Sequence, residues 1–358
     1  MPVEMIGWIA PRVSSEVIAP SGPPFDAGTI AHTARIHEDA DFDRVLIGYY
    51  ADAPDGFMVG AHAAAVTERV AFLLAHRPGF VAPTLAARKL ATLDQLSTGR
   101  LAVHIIAGGS DADQAKDGDH TDHAARYRRA SEYVDVLRRT WTSTAPFDHT
   151  GEFYRIVGAH ADIRCRQSPH IPIYGGGGSD AAIAALSGHV DVFMLWGEPL
   201  AETAAFMARV KAAAIAGALP EPRFSLSTRP ILAETDAKAW ARARAILARV
   251  HARRGGGPPP TPENVGSKRL LAAAAAREVH DTCLWMKLAE ATGARGNSTA
   301  LVGTPDTVAA ALAKYYELGA TSLLIRGYEP LEDAKQYGIE LIPCVRRLVA
   351  EIDARRGV

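Results

Sequence analysis

The stretch Ile171–Pro199, IPIYGGGGSDAAIAALSGHVDVFMLWGEP, decides the fold. A short apolar run over 171–174 ends in four glycines, Gly175 to Gly178. Ser179 and Asp180 then open an alanine-rich segment of helical character, and a second apolar run follows over 190–196. Strand, glycine turn, helix N-cap, helix and strand make one βα unit plus the next strand. Glycines let a backbone bend sharply and bring bare N–H groups up to a ligand. A helix starting at Ser179 adds the positive end of its dipole there, so the turn is a candidate phosphate site. The run is neither G-x-G-x-x-G nor a Walker A motif, and four glycines alone fit equally well a loop that only saves space.

The same alternation extends outward in both directions. Toward the N-terminus, strands are expected over 5–10, 44–50, 70–76 and 101–106, with helices over 27–40, from 60 and over 83–99. Beyond the fourth strand come a long helix over about 124–142 and a turn-rich excursion over 145–170. Toward the C-terminus, strands are expected over 224–232 and 321–326, with helices over 201–216, 236–251 and 305–318 and a last one after Glu329. Residues 253–267, RRGGGPPPTPENVGS, break the pattern and open an insertion that runs to Asn297. The apolar runs are too continuous for strands with one wet face and read as strands covered on both sides. Eight βα units predict a (β/α)8 TIM barrel, a single domain over 1–358, with insertions after strands four and seven. A doubly wound open sheet is the competing architecture.

The chain has 358 residues, 48% of them hydrophobic and 22% charged, with a formal net charge of −1 and no long run of one sign. Neither nucleic acid nor a membrane surface is an expected partner, and a small molecule is. Cys165, Cys283 and Cys344 are scattered without a C-x-x-C, which argues against a disulfide framework or a zinc site. No secretory leader or spanning segment is read, so a reduced, cytoplasmic setting is expected.

Active-site residues of such a barrel belong at the C-terminal strand ends. In chain order these ends carry Arg12; Tyr49 and Tyr50; His76 and Arg77; Ala107, Gly108 and Gly109; Gly175 to Ser179; Trp196 and Glu198; Arg229; and Arg326 with Tyr328. Four arginines on one rim would make a positive mouth for an anionic ligand, unless carboxylates of neighbouring loops pair with them. No paired-carboxylate, His-x-Glu or G-x-S-x-G constellation sits there, so no metal site is expected and any hard chemistry would belong to a bound cofactor.

The segments RPGFVAPTLAARKLATLDQLSTGRL (77–101), GGGGSDAA (175–182), VDVFMLWGEP (190–199), TALVGTPDTVAAALAKYYELG (299–319) and IRGYEPLEDA (325–334) resemble the bacterial-luciferase-like flavin monooxygenases, the alkanesulfonate monooxygenase branch most of all. The resemblance implies a TIM barrel that takes reduced FMN (FMNH2) from a separate NAD(P)H:FMN reductase and reacts it with O2 to a flavin hydroperoxide. The alkanesulfonate branch cleaves a C–S bond, releasing aldehyde and sulfite. By position, the resemblance sets the FMN phosphate against Gly177, Gly178 and Ser179, with Tyr127 as a donor and His123 nearby. It sets the flavin ring near Ala107, Gly108 and Trp196. It makes about 253–297 a mobile lid carrying Arg295, puts Tyr328 close to flavin and substrate, and suggests a homodimer or homotetramer.

The departures concern the substrate shell. Where the branch has a cysteine after strand two this chain has Ala53, the strand-one histidine falls near Val13, and an Arg-x-His pair on strand seven reads Ser227 and Arg229. The expectation is an FMNH2-dependent monooxygenase acting on a small organosulfur anion. Arg229, Arg295 and Arg12 would hold the acid group, Tyr49 and Trp196 would line the substrate side, and Tyr328 would be a hydrogen-bond donor or proton source. The alternatives are a deazaflavin-dependent hydride-transfer enzyme and a non-catalytic flavin-binding protein.

Overall fold

The apolar runs form the staves of a closed barrel in the computed structural model, which describes residues 3–255, 257, 259, 261–296 and 298–357. Strands β1 (Glu4–Ile9), β2 (Arg44–Ile47), β3 (Ala71–His76), β4 (Leu101–Ile105), β5 (Ile173–Gly176), β6 (Val192–Trp196), β7 (Arg223–Leu232) and β8 (Ala320–Ile325) each pair in parallel with the next. β8 closes on β1, with Met5 opposite Leu323 and Ile6 opposite Leu324. That closure makes the fold a (β/α)8 TIM barrel and excludes the open sheet.

Helices begin where the sequence offers a cap. Asp26 accepts from the Thr29 N–H ahead of helix Ala27–Asp39, and Thr304 caps helix Pro305–Leu318, which stops at Gly319. The second helix starts earlier than expected, at Gly56, because the Asp55 side chain accepts from the Met58 N–H. Side-chain alternation then divides the strands between two cores. Met5, Val45, Phe72, Val103, Ile173 and Phe193 face the helices. Ile6, Leu46, Leu73, Ala102, Tyr174, Val192 and Leu324 fill the barrel. Near its N-terminal end, Glu4 binds Arg44 at 2.8 Å and accepts from Tyr174 at 2.7 Å and Ser322 at 2.8 Å. Burial alone would raise the Glu4 pKa; the Arg44 charge and these hydrogen bonds outweigh it and hold the carboxylate ionised.

Both expected insertions are present. After β4 come helices Asp111–Lys116 and His123–Thr142 and a hairpin of Phe147–Thr150 with Arg155–Ala159. β7 is ten residues long. Its residues 223–228 pair within the barrel, while 229–232 leave it and pair with strand Ala300–Gly303 of the second insertion. That insertion also holds helices Val265–Ala276 and Lys287–Thr292. Residues 253–267 are therefore not irregular throughout. Helix Asp236–Arg254 runs to the Gly255 cap, and the Asn264 side chain starts the next helix by accepting from the Ser267 N–H at 2.8 Å. Gly256, Pro258, Pro260 and Asn297 lie outside the described residues. Among the described residues, no helix is long and apolar enough to cross a membrane.

Candidate active site

The glycine turn is built around unused backbone donors. β5 runs out at Gly176, and Ser179 caps helix Asp180–Leu186 by accepting from the Ala182 N–H at 3.2 Å. Between them, the N–H groups of Gly177, Gly178 and Ser179 donate to no acceptor among the described residues. Adjacent undirected donors at a helix start suit an anion. The turn leaves no room for side chains. A Cβ on Gly177 would stand 2.2 Å from the Tyr127 Oη, and one on Gly178 would stand 2.8 Å from the Gly266 backbone nitrogen. Tyr127 donates to the Gly176 carbonyl at 3.4 Å, and its ring meets His123 edge-on at 5.1 Å. Burial raises the Tyr127 pKa to about 12, so its hydroxyl stays a donor; burial and then the Arg126 charge lower that of His123.

Ala107 and Gly108 continue this side of the mouth from the end of β4. The Ala107 carbonyl accepts from Gln114 Nε2 at 2.8 Å and Arg126 Nε at 3.0 Å. Gly108 has a φ of 84°, and a Cβ there would lie 1.5 Å from Gln114 Nε2. Arg126 is itself buried and fixed to Asp111 at 2.8 Å and to the Thr121 carbonyl at 2.6 Å. Gln114 and Arg126 escape a reading by strand ends because both come from helices that fold back onto the β4 loop. The only sequence signal was the position of Arg126 next to Tyr127 in HAARYRR.

The second insertion sits directly on this turn. Gly266, in the first turn of helix Val265–Ala276, approaches both Gly178 and the Trp196 indole, where a Cβ on Gly266 would be 2.9 Å from the ring. Arg269 of the same helix binds Glu198 after β6, with Nε to Oε1 at 2.7 Å. Glu263 accepts from the Asp111 N–H at 3.3 Å, and Asp281 from the Leu200 N–H at 3.0 Å. Residues 263–281 are thus tied to the loops after β4, β5 and β6, which local sequence could not reveal.

The four rim arginines have different fates. Arg77 is buried, binds Asp113 at 2.5 Å and stacks over the Tyr49 ring at 4.5 Å. The Tyr49 hydroxyl donates to Asp117 at 3.0 Å, and burial followed by that bond raises its pKa to about 12. Arg229 is only 1% exposed and forms a two-pronged pair with Glu16, Nη1 to Oε1 at 3.0 Å and Nη2 to Oε2 at 2.9 Å. It also donates to the carbonyls of Arg326 at 2.8 Å and Gly327 at 2.9 Å, and lies 3.8 Å over the Tyr328 ring. Its guanidinium is therefore committed to the protein, contrary to the expectation that it meets a substrate. Burial would raise the Glu16 pKa, but the charge and hydrogen bonds of Arg229 bring it down to about 2. Glu16 carried no local signal in SSEV; only the fold brings it to Arg229.

Arg326 has a single hydrogen bond, Nη2 to the Ser14 carbonyl at 3.3 Å, and its Nε is buried with no acceptor among the described residues. Burial and then the charge of Arg229 lower its pKa. Tyr328 is 1% exposed, and its Oη likewise has no partner among the described residues. Burial raises its pKa above the usual phenol range against the pull of Arg229. Arg12 is half-buried and Arg295 exposed, and neither forms an ion pair among the described residues. Val13 and Ala53 lie half-buried on the loops after β1 and β2, and Ser227 is buried on β7 opposite Trp196. His104, which strand-end reading missed, shares the inward face of β4 with Ala102. Its Nδ1 has no partner among the described residues, and burial lowers its pKa to about 4.

Three solved structures share this architecture: EDTA monooxygenase from Chelativorans sp. BNC1, an F420-dependent tetrahydromethanopterin reductase and a diketocamphane monooxygenase component. The EDTA monooxygenase superposes with a TM-score of 0.77 at 17% identity, covering 97% of this chain and 94% of its own. The oxygenating constituent of 3,6-diketocamphane monooxygenase from Pseudomonas putida, solved with FMN, has a TM-score of 0.68 at 18% identity, covering 96% and 99%. The coenzyme F420-dependent tetrahydromethanopterin reductase from Methanopyrus kandleri has a TM-score of 0.71 at 18% identity, also covering 96% and 99%. At such identities the likeness speaks for the fold. Family membership comes from the sequence profile, which matches residues 4–322, and on that match the chain belongs to the luciferase-like monooxygenases.

Proposed function

We propose that this chain is an FMNH2-dependent, two-component monooxygenase that oxygenates a small organosulfur anion, releasing aldehyde and sulfite from an alkanesulfonate. The observation that carries the reading is the Gly176–Ser179 turn: three backbone N–H groups unspent among the described residues, a helix start and the Tyr127 hydroxyl, in a cradle whose glycines have no room for a Cβ. This donor set fits the phosphate of FMN. In this reading Gly177, Gly178, Ser179 and Tyr127 hold the phosphate, with His123 beside them, and Ala107, Gly108 and Trp196 border the ring. Reduced flavin, when bound, supplies the electrons with which O2 is activated.

The protein's own part is to bind, orient and keep water out. Ala107 is held by Gln114 and Arg126, so the backbone facing the ring is preorganised. Residues 253–297 would act as the lid, with Arg295 reaching inward and Arg12 flanking the substrate from the β1 loop. A protonated Tyr328 would be a donor beside the reacting centre, kept in place by the stacked Arg229. Reduced FMN would come from a separate NAD(P)H:FMN reductase. The test is anaerobic titration with reduced FMN, then mixing with oxygenated buffer and a panel of alkanesulfonates and sulfones. Sulfite released in proportion to flavin oxidised is the expected result. Absence of reduced-FMN binding, with turnover of a reduced deazaflavin instead, would replace this reading by hydride transfer.

A further inference from the structure

Where β7, β8 and the loop after β1 meet, two guanidiniums lie near one carboxylate, and only one of them is hydrogen-bonded to it among the described residues. Both oxygens of Glu16 go to Arg229. Arg326 is left with the Ser14 carbonyl alone and a buried Nε that no protein acceptor among the described residues reaches. Strand alternation sets Arg326 on the inward face. Ser322 and Leu324, at even positions before it, turn into the barrel, and Ile6 faces Leu324 across β1. Trp8, two residues beyond Ile6, lies beneath the guanidinium, 4.9 Å from Cζ to the ring. Arg326 as a whole residue is half-buried, and its Nε is fully buried. A desolvated cation beside a second cation is unfavourable until an anion completes its hydrogen bonds.

We propose that Arg326 recognises the anionic head of the substrate, a sulfonate or carboxylate, with Trp8 as an apolar floor for the chain that follows it. The assignment deepens the proposed function and rests on it only for the word substrate. Arg229 is then a positioning residue: paired with Glu16, it fixes the Arg326 and Gly327 carbonyls and repels a second cation. A fork of N–H donors matches either acid head, whereas an ammonium would offer only a point charge.

The probes are 1-octanesulfonate, octanoate and octan-1-ol, titrated into the full chain while tryptophan fluorescence is followed, with Trp8→Phe identifying the reporting indole. Both anions should bind saturably. Arg326→Met should weaken them by about tenfold or more while octan-1-ol is unchanged, as expected for loss of a charge-assisted pair. Arg326→Lys should fall between, and added guanidinium ion should restore anion binding to Arg326→Ala. If Arg326→Met does not fold, the comparison of Arg326→Lys with the unaltered chain decides. Unchanged anion affinity in the folded variant, or equal loss for octan-1-ol, overturns the assignment. Anion binding through Arg326 without oxygen consumption by any panel compound would leave it standing and remove the proposed reaction. Oxygenation of neutral compounds with no effect of Arg326→Met would do the reverse.

Discussion

On the β4–β6 side of the mouth the donors are backbone N–H groups in a turn whose glycines admit no side chain. On the β7–β8–β1 side they are guanidiniums whose availability depends on a carboxylate from another loop. The first arrangement is made by consecutive residues. The second joins residues 213 apart in sequence, Glu16 and Arg229, and takes out of use the arginine that a strand-end reading would choose for substrate. A rim count of arginines thus overstates a positive mouth, because Arg77 and Arg229 are already paired. What distinguishes the arginines is which carboxylate reaches each one. The backbone donors of the glycine turn meet no such carboxylate among the described residues.

The largest effect that would sharpen this contrast is on the paired side. Glu16→Ala leaves a buried guanidinium uncompensated and should lower stability by about 3–5 kcal/mol in denaturant unfolding. Glu16→Leu combined with Arg229→Met removes both charges and should recover most of that loss. A double variant no more stable than Glu16→Ala would break the account of the pair. Acid should act on the same bond. Because folding lowers the Glu16 pKa from 4.5 to about 2, its contribution is full above pH 4.5 and is lost as pH falls through 2. By linkage that amounts to about 3 kcal/mol. Glu16→Gln should flatten this part of the stability profile, measured by unfolding across that window.

Next in size is the glycine side. Gly177→Ala puts a β-carbon 2.2 Å from Tyr127 Oη and 2.6 Å from the Ala182 Cβ. Folding stability should fall by about 1–3 kcal/mol, the usual cost of overpacking, and reduced-FMN affinity should fall with the distorted turn in anaerobic fluorescence titration. Glu16→Leu with Arg229→Met should leave that affinity unchanged; a matching loss there would mean the two sides of the mouth are coupled. The smallest effect is expected from Tyr127→Phe, which removes a hydroxyl whose one proton, now in a long bond to Gly176, would turn to the phosphate. About 0.5–1.5 kcal/mol of flavin affinity should go, seen in the same titration.

Much of this was legible before any tertiary structure. Apolar runs with glycine and proline punctuation located all eight barrel strands to within a few residues, since a strand buried on both faces must be apolar along its length. The Gly175–Ser179 turn was legible as well, because its backbone conformation and helix cap are set by adjacent residues. Boundaries moved where a cap outweighed hydrophobic pattern, as at Asp55 and Asn264. What stayed hidden was contact across the chain. No local pattern marks Glu16 as the partner of Arg229, Gly266 as the cover of Trp196, or Arg126 as the support of Ala107.

By itself, then, the sequence determined the barrel, its two insertions, the glycine cradle and the family. The first three depend on hydrophobic period and backbone freedom, which are properties of neighbouring residues; the family rests on a resemblance of segments along nearly the whole chain. Only the tertiary structure decided which rim arginines are paired with carboxylates and which insertion residues roof the cradle. A buried charge is governed by whatever carboxylate the fold brings within about 3–4 Å, since pairing and desolvation both act at that range.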